Sequence, residues 1–224
     1  MSYTRLEYSS REEWLEGRKK GIGGSDVGSI LGVNNWRNNV ELWEEKTSNI
    51  PKQFITNERM EYGTNAEQYL RGLFALKYKD KYDVIYDNVD GKFVIYQHNE
   101  IPYLLASVDG LLVEKESGRR GLLEIKTTEI LSSQHKEQWK DKIPDNYYCQ
   151  CLYYMYILEL QFAILYVEKI YTYEDRQYSV LEIYHIERDE RVEKNIKYIV
   201  EKVSNFWNNY VLTNVRPSLK VNYI

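Results

Sequence analysis

The spacing of apolar positions changes along the chain, and the changes outline its elements. Ser10-Arg11-Glu12-Glu13 reads as a capping box that opens a helix to about Lys20. Gly21, Gly23 and Gly24 make a flexible turn, and Ser25 is placed to cap a short helix reaching Leu31. "NVELWEEKT" follows as an amphipathic helix. From about Asn57 to Tyr78, Met60, Ala66, Leu70, Leu73, Phe74 and Leu76 recur at helical spacing. The period then shortens to that of strands. "YDVIYD", "KFVIYQ", "YLLASVDG", "LLVEKE" and "LLEIKTT" are short, β-branched or aromatic runs broken by turn residues, with "ESGRRG" as a hairpin loop before the last. "DNYYCQCLYYMYILEL" returns to helix, "FAILYVEK" and "YSVLEIYHIE" read as two more strands, and Arg188 to about Tyr210 closes with a helix. That last helix carries an apolar stripe through Val192, Ile196, Ile199 and Val203. No linker, repeat or low-complexity tract interrupts this order, so residues 1–224 read as one α+β domain.

Composition supports a folded core: 43% of residues are hydrophobic and 14% aromatic. No apolar run approaches the ~20 residues of a membrane span, and "MSYTRLEYSS" lacks the character of a signal peptide. Cys149 and Cys151, in one apolar segment, suit a reduced cytoplasmic core rather than a disulfide framework. The formal net charge of −4 first argues against a nucleic-acid partner. Its distribution does not: residues 17–37 hold Arg18, Lys19, Lys20 and Arg37 against Asp26 alone, and the tail after Glu201 holds Lys202, Arg216 and Lys220 and no acid. An acidic total with local basic stretches is compatible with a DNA groove beside a carboxylate-rich metal site.

The chemistry concentrates in "GLLEIKTT". Alternate residues of a strand share a face, so Glu124 and Lys126 point the same way, roughly 6–7 Å apart. Alone, such a pair reads as a surface ion pair worth ~0–1 kcal/mol. Asp109 in "ASVDGLL" changes that, because the hairpin brings Glu124 back alongside it. Glu67, on the long helix, is a third acid. Carboxylates about 4 Å apart repel by ~4 kcal/mol at an effective dielectric near 20, so such a cluster tends to bind a cation or a proton. Mg²⁺ keeps several waters and is satisfied by two carboxylates and a backbone carbonyl. A lysine beside it can orient a hydrolytic water and stabilise charge on a phosphoryl oxygen. Asp109, fourteen intervening residues, Glu124, one apolar residue and Lys126 match the D-(x)n-E-x-K spacing of metal-dependent nucleases.

"GRKKGIGGSDVGSILGVNNWRNNVELWEEKT" resembles the opening motif of the YqaJ-like viral recombinase family, to which phage lambda exonuclease is related. "YGTNAEQYLRGLF", "ASVDGLL", "LLEIKTT", "NYYCQCLYYMYIL" and "IERDE" follow in the family's order, over roughly residues 11 to 200. The resemblance implies a PD-(D/E)XK restriction-endonuclease-like core, a mixed β-sheet flanked by helices. It implies Mg²⁺-dependent degradation of double-stranded DNA from 5′ ends, with Mn²⁺ as a substitute, leaving 3′ tails for single-strand annealing recombination. By motif position it makes Asp109, Glu124 and the carbonyl of Ile125 the metal ligands and Lys126 the catalytic lysine. Glu67 is then the helix acid that helps bind metal or position water. Arg18, Ser25, Ser107 and Gln150 fall at the positions of the 5′-phosphate pocket. Val108 stands where proline is usual before the aspartate; that proline is not itself a ligand. An annealing protein as partner and a ring-shaped homotrimer are further implications.

Plainer readings remain beside these. Arg18 can complement a helix dipole, Ser25 can serve only as a cap, Gln150 as a satisfied core amide and Glu67 as an exposed helix acid. His98, His135 and His185 read as structural or solvated. An endonuclease on the same core and a non-catalytic DNA-end-binding module are the alternative functions. Two cysteines cannot supply the four that hold the iron–sulfur cluster of Cas4-like nucleases.

Overall fold

The computed structural model describes residues 2–48, 57–87 and 91–220. In chain order its elements are β1 (Tyr3–Tyr8), α1 (Arg11–Lys19), α2 (Gly24–Leu31), α3 (Asn39–Thr47), α4 (Glu58–Lys77), β2 (Tyr82–Ile85), β3 (Phe93–His98), β4 (Leu105–Ala106), β5 (Gly110–Glu114), β6 (Arg120–Glu129), α5 (Ser133–Gln138), α6 (Asp145–Ile157), β7 (Phe162–Tyr173), β8 (Arg176–Glu187) and α7 (Glu190–Phe206). A π-helical turn, Trp207–Val211, extends α7.

The strands form two sheets, the larger of them mixed. A five-stranded sheet runs β2-β5-β6-β7-β8, and a three-stranded sheet runs β1-β3-β4. Within the larger sheet only β6 and β7 are parallel, so their connection must cross over, and it does so through α5 and α6. Strand β6 lies at the centre, which places Glu124 and Lys126 where a strand is least free to move.

Alternation along β6 assigns each face. Leu123 and Ile125 join a cluster with Leu70 and Phe74 of α4, Leu112, Phe162, Ile164 and Tyr166. Leu122 joins the larger core on the opposite face, built from α2, α6 and α7 against Leu111, Ala163, Leu165 and Val167. Helix α6 sits between sheet and helices, with Gln150, Cys151, Leu152, Tyr153, Tyr154, Met155 and Ile157 all buried. The stripe of α7 packs as its spacing requires, with Val192, Ile196, Ile199 and Val203 buried.

Several expectations need correction. The cap of α2 is Gly23, not Ser25; Asp26 reaches back to accept from the Gly23 N–H at 2.9 Å. Ser25 lies inside the first turn of α2, and its hydroxyl accepts from Arg18 instead. "YLLASVDG" contributes only the two-residue β4. On α4, Met60, Leu73 and Leu76 point to solvent, 41%, 41% and 69% exposed, because only the Leu70–Phe74 side meets the sheet. Among the described residues no helix is long and apolar enough to cross a membrane.

Candidate active site

Asp109 sits between β4 and β5, and Glu124 on β6, where Gly110 pairs with Leu123. The last rung of the β5–β6 ladder therefore sets the two acids side by side. One oxygen of Asp109 accepts from the Ile125 N–H at 2.7 Å. A strand residue aims its N–H and C=O to the same edge, so the Ile125 carbonyl faces the side on which Asp109 stands.

Glu124 is 1% exposed. Its Oε1 accepts from Lys126 Nζ at 2.6 Å and from Gln150 Nε2 at 2.5 Å. Its Oε2 is buried and, among the described residues, has no partner. A buried carboxylate oxygen left without a donor costs ~1–3 kcal/mol or more, which is the signature of a position meant for a proton or a cation. Burial, then the neighbouring Asp109, pushes the Glu124 carboxyl up to about 8 against the pull of Lys126. Loss of hydration and Asp109 likewise push Glu67 up to about 7, and loss of hydration raises Asp109. Burial alone would lower the Lys126 ammonium, but Glu124 and Asp109 outweigh it and raise it well above an ordinary lysine. Without metal these carboxyls therefore hold protons more readily than ordinary acids, beside a fixed ammonium.

Sequence reasoning missed Arg71. Its Nε donates to the carbonyl of Asp109 at 2.6 Å, its Nη2 grips Glu67 at 2.5 Å, and its guanidinium lies 3.4 Å over the Tyr86 ring. The signal was available in the Glu67–Arg71 spacing of four on one helix face.

Among the described residues no three His, Cys, Asp or Glu side chains converge closely enough to hold a metal ion. The site offers a cation two carboxylates and a backbone carbonyl, with Glu67 held at its margin by Arg71. That donor set is all oxygen and incomplete, which fits Mg²⁺ or Mn²⁺ with retained waters and does not fit a thiolate or imidazole metal.

A second constellation stands at the start of α2. Arg18 Nη2 donates to Ser25 Oγ at 2.9 Å, with the guanidinium 4.7 Å over the Trp14 ring. Beneath it, Asp26 is 3% exposed and pairs with Arg37 at 2.5 Å and Lys46 at 2.9 Å. Loss of hydration would raise the Asp26 carboxyl, but Lys46, Arg37 and Arg18 outweigh it and hold the group well below the usual carboxylate range. Lys46 also donates to the Arg18 carbonyl at 3.0 Å, so one buried acid ties the end of α1 to the start of α2 and to α3. The two constellations are joined by backbone. Ile22 N–H donates to the Tyr103 carbonyl at 2.7 Å, Leu105 N–H donates to the Ile22 carbonyl at 3.0 Å, and Leu105 leads on to Asp109. The other two residues expected beside Arg18 are engaged elsewhere: Gln150 with Glu124, and the Ser107 hydroxyl with the Val94 carbonyl at 3.3 Å.

A groove of about 1210 Å³ opens over the first constellation. Glu67, Asp109, Ile125 and Lys126 line its floor, and Trp36, Tyr62, His135 and Tyr178 are on its walls. His135 approaches Thr128 at 3.4 Å. His98 stacks on Tyr156 at 5.4 Å, away from this groove.

The same architecture recurs in solved structures. The exonuclease LHK-Exo in complex with dAMP aligns over 91% of this chain and 94% of its own, with a TM-score of 0.66 and 24% identity. A second structure of this alkaline exonuclease, from Laribacter hongkongensis, aligns over 91% and 97% with a TM-score of 0.59 and 21% identity. A phage-related exonuclease from Haemophilus somnus 129PT covers 87% and 96% at a TM-score of 0.56 and 12% identity. These likenesses establish the fold. In sequence, the uncharacterised protein YqaJ of Bacillus subtilis (strain 168) is 32% identical over 216 residues, covering 94% of this chain. This chain spans 59% of that relative's length. The model of the YqaJ-like viral recombinase domain matches residues 13–161. That match takes in α1 to α6, both constellations and the strand between them, and the chain belongs to the YqaJ-like viral recombinase domain family.

Proposed function

We propose that this chain is a divalent-metal-dependent exonuclease that degrades one strand of linear double-stranded DNA from its 5′ end and leaves 3′ single-stranded tails. The observation that carries the reading is the buried Oε2 of Glu124, without a partner among the described residues, next to Asp109 and Lys126, which line the groove. Exonucleases of the same fold add support.

Asp109, Glu124 and the Ile125 carbonyl would hold Mg²⁺, with Glu67 nearby to help position water. A cation bound there supplies a Lewis acid and a water of lowered pKa. Lys126, anchored by Glu124, places its ammonium to orient the attacking water and to offset charge developing on the phosphoryl oxygens. Arg71 fixes the segment that presents Asp109. Arg18 and Ser25, at a helix N-terminus, suit a terminal 5′-phosphate. The guanidinium supplies paired charge-assisted donors and the helix start supplies N–H groups. Ser107 and Gln150 would complete this pocket only by leaving the partners they hold here, the Val94 carbonyl and Glu124.

The deciding experiment supplies Mg²⁺ and compares linear duplex bearing 5′-phosphate, linear duplex bearing 5′-hydroxyl, and a closed unnicked circle. The exonuclease reading expects the circle to stay intact and phosphorylated ends to be digested faster. Cleavage of the circle would establish an endonuclease on the same core, and no cleavage with retained end binding would establish a non-catalytic module. Arg18→Ala should slow phosphorylated ends and leave hydroxyl ends little changed. Equal slowing would move the phosphate pocket elsewhere. Cytoplasmic action, a single-strand annealing protein as partner and a homotrimeric ring around duplex belong to the same proposal. A monomeric mass by light scattering would reject the ring.

A further inference from the structure

Trp36 is 78% exposed, the most exposed large hydrophobic side chain among the described residues, and it lines the same groove as Asp109 and Lys126. Its position is nevertheless fixed. The Trp36 N–H donates to Asn34 Oδ1 at 2.8 Å, and Asn34 in turn donates to Ser29 Oγ at 3.2 Å. The next residue, Arg37, is tied to the buried Asp26, to Glu45 at 2.8 Å and to Ser29 at 3.3 Å. These bonds anchor the chain on both sides of the Trp36 indole, which lines the groove.

The electrostatics of the groove give that indole a task. Its lining carries five carboxylates (Glu58, Glu67, Asp109, Glu129 and Glu168) against Arg59 and Lys126. Arg59 is already paired with Glu129 at 2.7 Å, and Lys126 with Glu124 at 2.6 Å. Away from the acids that would hold metal, Glu58, Glu129 and Glu168 still outnumber Arg59, and walls of that sign repel phosphates, so a strand lying along them gains from attachment through its bases. Nearby tyrosines are committed: Tyr62 donates to Glu168 at 2.8 Å, and Tyr178 stacks on Tyr171 at 5.2 Å. An indole face binds any base, because every base has a π-face. A base inside a duplex has both faces covered, so such a platform selects a nucleotide already out of the stack.

We propose that Trp36, set by Arg37 at the wall of the groove holding Asp109 and Lys126, is a base-stacking residue that holds an unpaired nucleotide of the DNA strand. The assignment rests on the nuclease reading only in taking DNA as the ligand. It makes Trp36 a substrate-positioning residue that touches no reacting atom.

The test uses the full chain and two variants, Trp36→Ala and Trp36→Phe. A duplex with a short single-stranded end is titrated in EDTA while tryptophan fluorescence is followed, and cleavage of the same duplex is measured with Mg²⁺. Trp139 is buried, and Trp14, Trp43 and Trp207 are at least partly so, which makes Trp36 the indole best exposed to quenching. The expected result is a wild-type quench that both variants lose. KM and Kd should rise about thirtyfold for Trp36→Ala, the middle of the range for one stacked base. For Trp36→Phe the rise should be much smaller, with kcat and melting temperature near wild type in both. An unchanged quench in the variants, or a fall in kcat with KM unchanged, overturns the proposal. A wild-type chain that cuts nothing would overturn the nuclease reading instead, and the metal-free titration would still decide the stacking.

Discussion

Arg71 holds Asp109 by its backbone and Glu67 by its side chain, donating to the carbonyl of the first at 2.6 Å and to the carboxylate of the second at 2.5 Å. One guanidinium on α4 thereby sets the relative position of a helix and of the turn that presents a candidate metal ligand. Arg71→Ala should cost about 1.5–3 kcal/mol, the range for a hydrogen bond involving a charged group, and should lower cleavage as well. Arg71→Lys keeps the charge but lacks the two-pronged fork, so it should recover stability better than activity. Urea midpoints and cleavage rates on both variants check this.

Asp109→Asn and Glu124→Gln should each abolish cleavage while preserving the fold. Each also removes negative charge near the phosphates, so binding of DNA should persist or tighten. Cleavage assays, circular dichroism and a binding titration at fixed salt check the three parts. Digestion at the wild-type rate by either variant would remove these residues from the active site.

The acid cluster makes a pH dependence with a definite sign. The folded-state carboxyls of Glu124 and Glu67 lie at about 8 and about 7, raised above the value near 4.5 for an unfolded chain. Over that interval the folded protein retains protons that the unfolded chain has released, so stability falls as pH rises. Metal-free protein should therefore lose melting temperature between pH ~4.5 and ~8 and level off above. Mg²⁺ binds the ionised form, so it should restore stability most at the alkaline end. Thermal melts across pH, with EDTA and with Mg²⁺, check both halves, and Glu124→Gln should flatten the metal-free slope.

Lys126→Ala should slow cleavage about 10²–10³-fold, the usual consequence of losing one group that stabilises developing charge. Mg²⁺ affinity should change less, because the ammonium serves the water and the phosphate. If the Glu124–Lys126 contact were only a surface ion pair, the same variant would keep full activity and lose no more than ~1 kcal/mol. Rate and stability measured on one preparation separate the two.

How much was legible in the sequence depends on the range of the interaction. The switch from helical to strand period located α4, β5, β6, α6 and α7, and the two-residue spacing put Glu124 and Lys126 on one face. Strand β1 escaped notice because Thr4, Arg5 and Glu7 give "YTRLEY" little apolar content on an edge strand. Helix α5, six residues long, is too short to show a period. The exposed side of α4 is not legible because Leu73 and Leu76 carry the same helical spacing as Leu70 and Phe74. Only tertiary contact decides which stripe meets the sheet. Asp26 looked like one acid in a glycine-rich turn, since its partners Arg37 and Lys46 lie eleven and twenty residues away. The Ile22–Leu104 bridge, which connects two constellations through backbone alone, has no side-chain signature at all.

That bridge also governs how the gene can change length. Ile22 is held from three directions, by Tyr103, by Leu105 and by the Tyr153 hydroxyl, which donates to its carbonyl at 2.7 Å. It falls in the middle of the interval from Arg18 to Ser25, so a residue added or removed there would rotate one end out of place while the centre stayed anchored. Between β5 and β6, Gly118 has nothing within 4 Å of where a Cβ would project. Insertions and deletions in descendants of this chain should therefore accumulate at the 116–119 hairpin and be purged from residues 18–25, whatever side chains those residues carry.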